Sequence, residues 1–163
     1  MSRPYIGGSN AAVKTINSSN WVSGTTMSID LYASDHGKTI LIDHPDGADL
    51  VGDGSAFTTI TMNLPEKKAG LEIKFLLVSE MDSGSSALHI KAPNTNDMIG
   101  SITTIAADLT GVSKVDNGSV NQLQITDDVH QGSFINCICD GSKWYVNATL
   151  YSDSTDRGDF AAV

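Results

Sequence analysis

The sequence predicts an all-β fold: an antiparallel β-sandwich or jelly roll of about nine strands, with an extended N-terminal arm. Three observations lead there. Short apolar runs alternate with turn clusters along most of the 163 residues, at the spacing of sandwiches and barrels. The composition is rich in Gly, Ser, Thr, Asn and Asp, which suits turns and short strands more than long helices. Of the nineteen acidic residues only Glu66, Glu72 and Glu80 are Glu; the others are Asp, the acid of turns and caps.

Residues 1–26 are polar and small, carry Arg3 and Lys14 but no acid, and read as an extended arm that orders against a partner. Residues 27–150 read as the sandwich domain. Its candidate strands are 27–33, 39–43, 57–63, 71–78, 87–92, 99–105, 120–126, 133–139 and 143–150. Ser28-Ile29-Asp30-Leu31-Tyr32 and Leu88-His89-Ile90-Lys91 alternate with period two, the mark of half-buried strands. Lys74 to Val78 and Phe134 to Cys139 are more continuously apolar and read as central strands, or as strands covered by another subunit. His36-Gly37, Asp46-Gly47, Asp53-Gly54, Asn117-Gly118 and Asp140-Gly141 supply turn residues that tolerate positive φ. Residues 65–70 have mild helical propensity and read as a single turn stopped by Gly70. No repeat of solenoid or propeller type is visible. Residues 151–163 form an Asp-rich tail ending in apolar Phe160-Ala161-Ala162-Val163, which is read either as docking on a neighbouring subunit or as a loose acidic tail.

The formal charge of −9 repels phosphate backbones, so nucleic acid is not expected as a ligand. No apolar run approaches the length that spans a bilayer, so no membrane partner is expected. Met1 to Gly8 shows no apolar signal region, which points to synthesis in a cytoplasm. Cys137 and Cys139 lie two apart in an apolar run, point to one face of a strand, and read as buried thiols of a reducing compartment. Asn147-Ala148-Thr149 matches a glycosylation sequon and Arg157-Gly158-Asp159 an integrin tripeptide; without a secretory signal both read as coincidence.

The searches for chemistry assign no catalytic, cofactor-binding or metal-binding residue. His36, His44, His89 and His130 are scattered, and Cys137 and Cys139 lack a second pair, so no zinc site is expected. Residues 43–54 are dense in Asp43, Asp46, Asp49 and Asp53, but they do not follow the EF-hand ligand pattern. No nucleophile elbow or phosphate-binding Gly loop is present. The expectation is a protein that is not an enzyme.

Two stretches carry a resemblance. Thr59-Ile60-Thr61-Met62-Asn63-Leu64-Pro65 is followed by Ala69-Gly70 and the apolar Leu71 to Val78. Later, Gly132 to Cys139 leads through Asp140-Gly141-Ser142 to Lys143-Trp144-Tyr145-Val146. This order resembles head decoration (cement) proteins of tailed bacteriophages and fibre-tip domains. Those are similar in build to trimeric jelly rolls of the tumour necrosis factor type. The resemblance implies a homotrimer, without cofactor, that binds the major capsid protein on the outside of the virion. The alternative it leaves is a tail fibre or spike tip that binds a host receptor or glycan; a small trimeric jelly-roll enzyme is a third reading. From alternation alone, Trp144 and Tyr145 point to opposite faces of the last hairpin, one inside the sandwich and one toward a partner.

Overall fold

The computed structural model describes residues 13–16, 26–43, 59–81, 87–106, 111–126, 128–153 and 157–163. It is an all-β sandwich of twelve strands with no α-helix among the described residues. The strands are β1 (Val13–Ile16), β2 (Thr26–Asp30), β3 (Thr39–Ile42), β4 (Thr59–Asn63), β5 (Glu72–Leu77), β6 (Ala87–Lys91), β7 (Met98–Ala106), β8 (Gly111–Val120), β9 (Gln122–Thr126), β10 (Phe134–Cys139), β11 (Trp144–Ser152) and β12 (Gly158–Ala161). The seven-stranded sheet runs β1-β3-β5-β10-β11-β7-β8 and the five-stranded sheet runs β12-β9-β6-β4-β2. All nine expected strands are present, and three more join them: β1, β8 and β12.

The pairing departs from the antiparallel expectation. Five pairings are antiparallel and five are parallel: β1 with β3, β3 with β5, β2 with β4, β4 with β6, and β7 with β11. From β1 to β6 the chain alternates between the two sheets, so each turn lays one strand in each and stacks it parallel on the turn before. The result is a parallel coil. The corners stack as well. Leu31 N–H donates to the Asn63 carbonyl, Leu64 N–H to that of Lys91, and Ala92 N–H to that of Asn121, at 2.9, 2.8 and 2.7 Å. Leu31, Leu64 and Ala92 are all buried there.

Two turns of this coil repeat in sequence, a short repeat not expected from the sequence reading. Thr26 to Gly37 and Thr59 to Gly70 correspond 33 residues apart, Leu31 matching Leu64 and Gly37 matching Gly70, and the strands that follow stack 35 residues apart. Both glycines stand at positive φ, 75° and 84°, where the chain turns back into the larger sheet. Residues 65–70 are a bend and a turn rather than the expected helical turn; Leu71 N–H donates to the Lys68 carbonyl at 3.2 Å and Gly70 turns the chain.

From β7 onward antiparallel strands close the sandwich. The core lies between the sheets, with Phe75, Trp144, Ile40, Ile73, Met62, Leu88 and Ile90 fully buried. Trp144 is inside and Tyr145 outside, as alternation predicts. The indole N–H of Trp144 is buried without a hydrogen-bond partner. Cys137 and Cys139 are free, buried and on one face of β10; burial pushes the Cys137 thiol far above its ordinary range, which makes it a packing residue.

The flanks are more integrated than the expected boundaries at residues 26 and 150. Within the expected arm, β1 pairs with β3, and Lys14 donates to Asp35 at 3.1 Å. β11 runs on to Ser152, and the expected tail contains β12, which pairs with β9. Phe160 packs on this chain's own core. The Asn121 side chain clamps Val163 by two hydrogen bonds, at 2.9 and 3.0 Å. Arg157-Gly158-Asp159 lies in and beside β12, with Arg157 on Asp128, Gly158 in the core, and Asp159 near Lys114.

Candidate assembly face

The outer faces of the two sheets differ in chemistry. On the five-stranded sheet the side chains turned outward are mostly polar: Ser28, Thr61, His89 and Gln124 stand in register across β2, β4, β6 and β9. On the seven-stranded sheet the outward positions form rows in which apolar side chains alternate with a polar row. One row crosses Leu41, Leu76, Phe134, Thr149 and Thr103. A second joins Ile138, Tyr145 and Ile99, with Glu72 at its β5 end. Tyr151 and Ile105 form a third. Phe134 is 46% exposed, Ile138 41% and Tyr145 40%, on a face where the inward residues of the same strands are at or near zero.

Charge is sparse on the central strands of this face. Glu72 and Lys74 on β5 pair with each other at 3.2 Å. Between the apolar rows runs a polar one, Lys74, Asn136, Asn147 and Ser101. Ser101 Oγ donates to Asn147 Oδ1 at 2.8 Å, while Asn136 Oδ1 is buried without a partner. Asn147, the sequon residue, thus lies mid-strand on this face.

The β10–β11 turn fixes the edge of the face. Asp140 Oδ1 accepts from the N–H groups of Lys143 and Ser142 and from Ser142 Oγ, and Asp140 Oδ2 accepts from Tyr145 Oη at 3.0 Å. These bonds, those from the backbone of Lys143 and Ser142 first, hold the Asp140 carboxyl far below its usual range. The hydrogen bond to Asp140, and then its charge, in turn raise the pKa of Tyr145. Gly141 completes the turn at φ 99°.

Among the described residues no three His, Cys, Asp or Glu side chains come together in a way that could hold a metal ion. Of the Asp-rich stretch 43–54, residues 44–54 lie outside the described residues; Asp43 accepts from Ser79 Oγ at 2.8 Å. The nearest approach to a charged cluster is His130, whose Nδ1 lies 2.6 Å from Glu80 and Nε2 3.0 Å from Asp153. Both ring nitrogens are committed to carboxylates, an arrangement that ties loops together. No helix among the described residues is long and apolar enough to cross a membrane.

Alternation put Trp144 and Tyr145 on opposite faces without saying which lies outside, and the outer face as a whole was not legible in it. Its signal was present in Phe134-x-Asn136-x-Ile138, where apolar residues occupy both faces of one strand. No protein-family model, curated protein or solved structure matches the chain.

Proposed function

We propose that this protein is a non-catalytic structural protein of a virion, a decoration protein that assembles as a homotrimer and binds the major capsid protein on the outside of the shell. The observation that carries the reading is the set of exposed apolar side chains, Phe134, Ile138, Tyr145 and Tyr151, on the charge-poor outer face of β5, β10, β11 and β7, on a chain of formal charge −9. Clustered exposed apolar side chains bordered by polar ones support an interaction site. In the trimer this face is turned to the neighbouring subunits, and the polar face of the smaller sheet is turned away. The order of the Leu64-Pro65, Ala69-Gly70 and Asp140-Gly141 segments, which resembles phage cement proteins, supplies the class of assembly.

Light scattering tests the trimer: the expected mass is three times 17.2 kDa. Purified protein added to expanded, undecorated phage heads is expected to bind them and raise their melting temperature. A monomer at micromolar concentration overturns the trimer. Binding to host cells but not to heads replaces the cement reading with that of a receptor-binding fibre tip.

A further inference from the structure

Each sheet edge in a β-sandwich is a row of unpaired backbone groups, and proteins blunt such edges with charges turned inward, bulges or short strands. Three of the four edges here are blunted. β1 is four residues long and puts Lys14 in the inward register, opposite Ile40, where it reaches Asp35. β8 puts Lys114 in the inward register opposite Ile102, and a register shift between Met98 and Gly100 bends its pairing. β12 is four residues long, and its Asp159 is drawn to Lys114 at 3.6 Å.

Among the described residues, β2 carries none of these devices. It is a regular five-residue strand with no charge at an inward position. Its inward residues, Met27 and Ile29, are only half-buried, whereas Ile60 and Met62 beside them on β4 are fully buried. Among the described residues no strand lies beyond β2, and its core side is only half covered.

The sequence of β2 is complementary to itself. Placed antiparallel about a two-fold axis at Ser28, Thr26-Met27-Ser28-Ile29-Asp30 sets Met27 against Ile29 of the other copy and Thr26 against Asp30. Apolar side chains meet apolar ones on the core side, a hydroxyl meets the carboxylate on the other, and no like charges face each other. We infer that β2 is a self-association edge: two copies join β2 to β2 antiparallel, making one continuous sheet and closing the exposed end of both cores. This contact is separate from the outer face of the larger sheet, so in the proposed assembly it links one trimer to the next.

Cross-linking tests the register. Residues directly opposite in an antiparallel pair have Cβ atoms about 4.5–5.5 Å apart, close to what a disulfide requires. Ser28→Cys is expected to give a reducible two-chain species under mild oxidation, since Ser28 is exposed and the native cysteines are buried. Thr61→Cys, one strand further in on the same face, is the control: across the axis its copies stand three strand spacings apart, about 14 Å, and are not expected to cross-link. In the unmodified protein, light scattering against concentration is expected to show a doubling of mass, and Ile29→Lys is expected to raise the dissociation constant of that step at least tenfold. If Ile29→Lys fails to fold, the cross-link on the otherwise intact chain decides. Three subunits going to six upholds both contacts. One going to two upholds the β2 pairing and overturns the trimer. A mass that stays at three, or equal cross-linking of Ser28→Cys and Thr61→Cys, overturns the β2 pairing.

Discussion

Gly100 has no room for a side chain. A Cβ there would lie 2.2 Å from the Val146 carbonyl oxygen and 2.9 Å from Phe160 Cζ. Phe160 is a side chain that can yield, but Val146 is the backbone of the neighbouring strand, paired with Gly100 itself. Gly100→Ala is therefore expected to cost about 3 kcal/mol by overpacking, read as a lower urea midpoint. Gly132, whose position has open space around it but a φ of 88°, is expected to lose less on the same change. Asp35 is a second residue on which much depends. Its side chain is 4% exposed and accepts from Lys14, Lys38 and the Tyr32 N–H at 3.0 to 3.1 Å. Burial pushes its pKa up, but the bonds from Tyr32, Lys38 and Lys14 together outweigh that and hold it below the ordinary carboxylate value. A depressed folded pKa contributes stability that is present above the unfolded value of 3.8 and is lost as pH falls through the folded one. Asp35→Asn is expected to remove about 2 kcal/mol at pH 7, and the gap to the parent protein is expected to shrink below pH 4. Chemical denaturation at pH 7 and pH 3 checks both parts.

At the scale of elements, His130 joins three pieces of chain that pairing alone leaves weakly tied. It sits beside the isolated bridge between Val129 and Ser152, and its ring reaches Glu80 beyond β5 and Asp153 beyond β11. Burial alone would lower its pKa; the hydrogen bonds to Asp153 and Glu80 outweigh burial and raise it. A raised folded pKa gives stability that is fully present below the unfolded value of 6.5 and is lost as pH rises through the folded value. His130→Gln is expected to destabilise the protein more at pH 6 than at pH 9, and thermal melts at the two values check the sign. An equal loss at both removes the charge from the account. The strands themselves divide by how they announce themselves. The nine read from sequence contain apolar residues at period two or in runs, as in Leu88-His89-Ile90. β8 does not: as an edge strand, Gly111-Val112-Ser113-Lys114-Val115 needs few apolar residues, and it reads as a polar linker. β1 and β12 are four-residue strands specified by distant partners, Asp35 for Lys14 and the core around Ile102 for Gly158. Strand direction was also hidden, because the eight residues from Leu31 to Lys38 turn a parallel coil yet look like any loop. The matching glycines Gly37 and Gly70 were the legible clue. The candidate face was half legible: Tyr145 by alternation, but Phe134 and Ile138 only once β10 was seen to be central with its outer side exposed.

The whole molecule combines a strongly acidic body with a face nearly free of net charge, and the two act oppositely on assembly. Copies of a chain at −9 repel each other at a distance. At contact, the apolar rows of Leu76, Phe134, Ile138 and Tyr145 gain by leaving water, and the paired Glu72 and Lys74 add little net field. Salt screens the repulsion, with a Debye length that falls from about 30 Å at 0.01 M to about 10 Å at 0.1 M, and it leaves the apolar gain nearly untouched. Formation of the proposed trimer is therefore expected to tighten as salt rises from 0.01 to 0.15 M, the reverse of an interface held by ion pairs. Phe134→Asp, which brings a charge to the centre of the face, is expected to leave a folded monomer, because Phe134 points away from the core and its loss opens no cavity there. Sedimentation velocity of the parent protein and the variant across that salt range separates the cases. Weakening with salt would mean that charge pairs hold the subunits together, and a trimer that survives Phe134→Asp would place the contact on another surface.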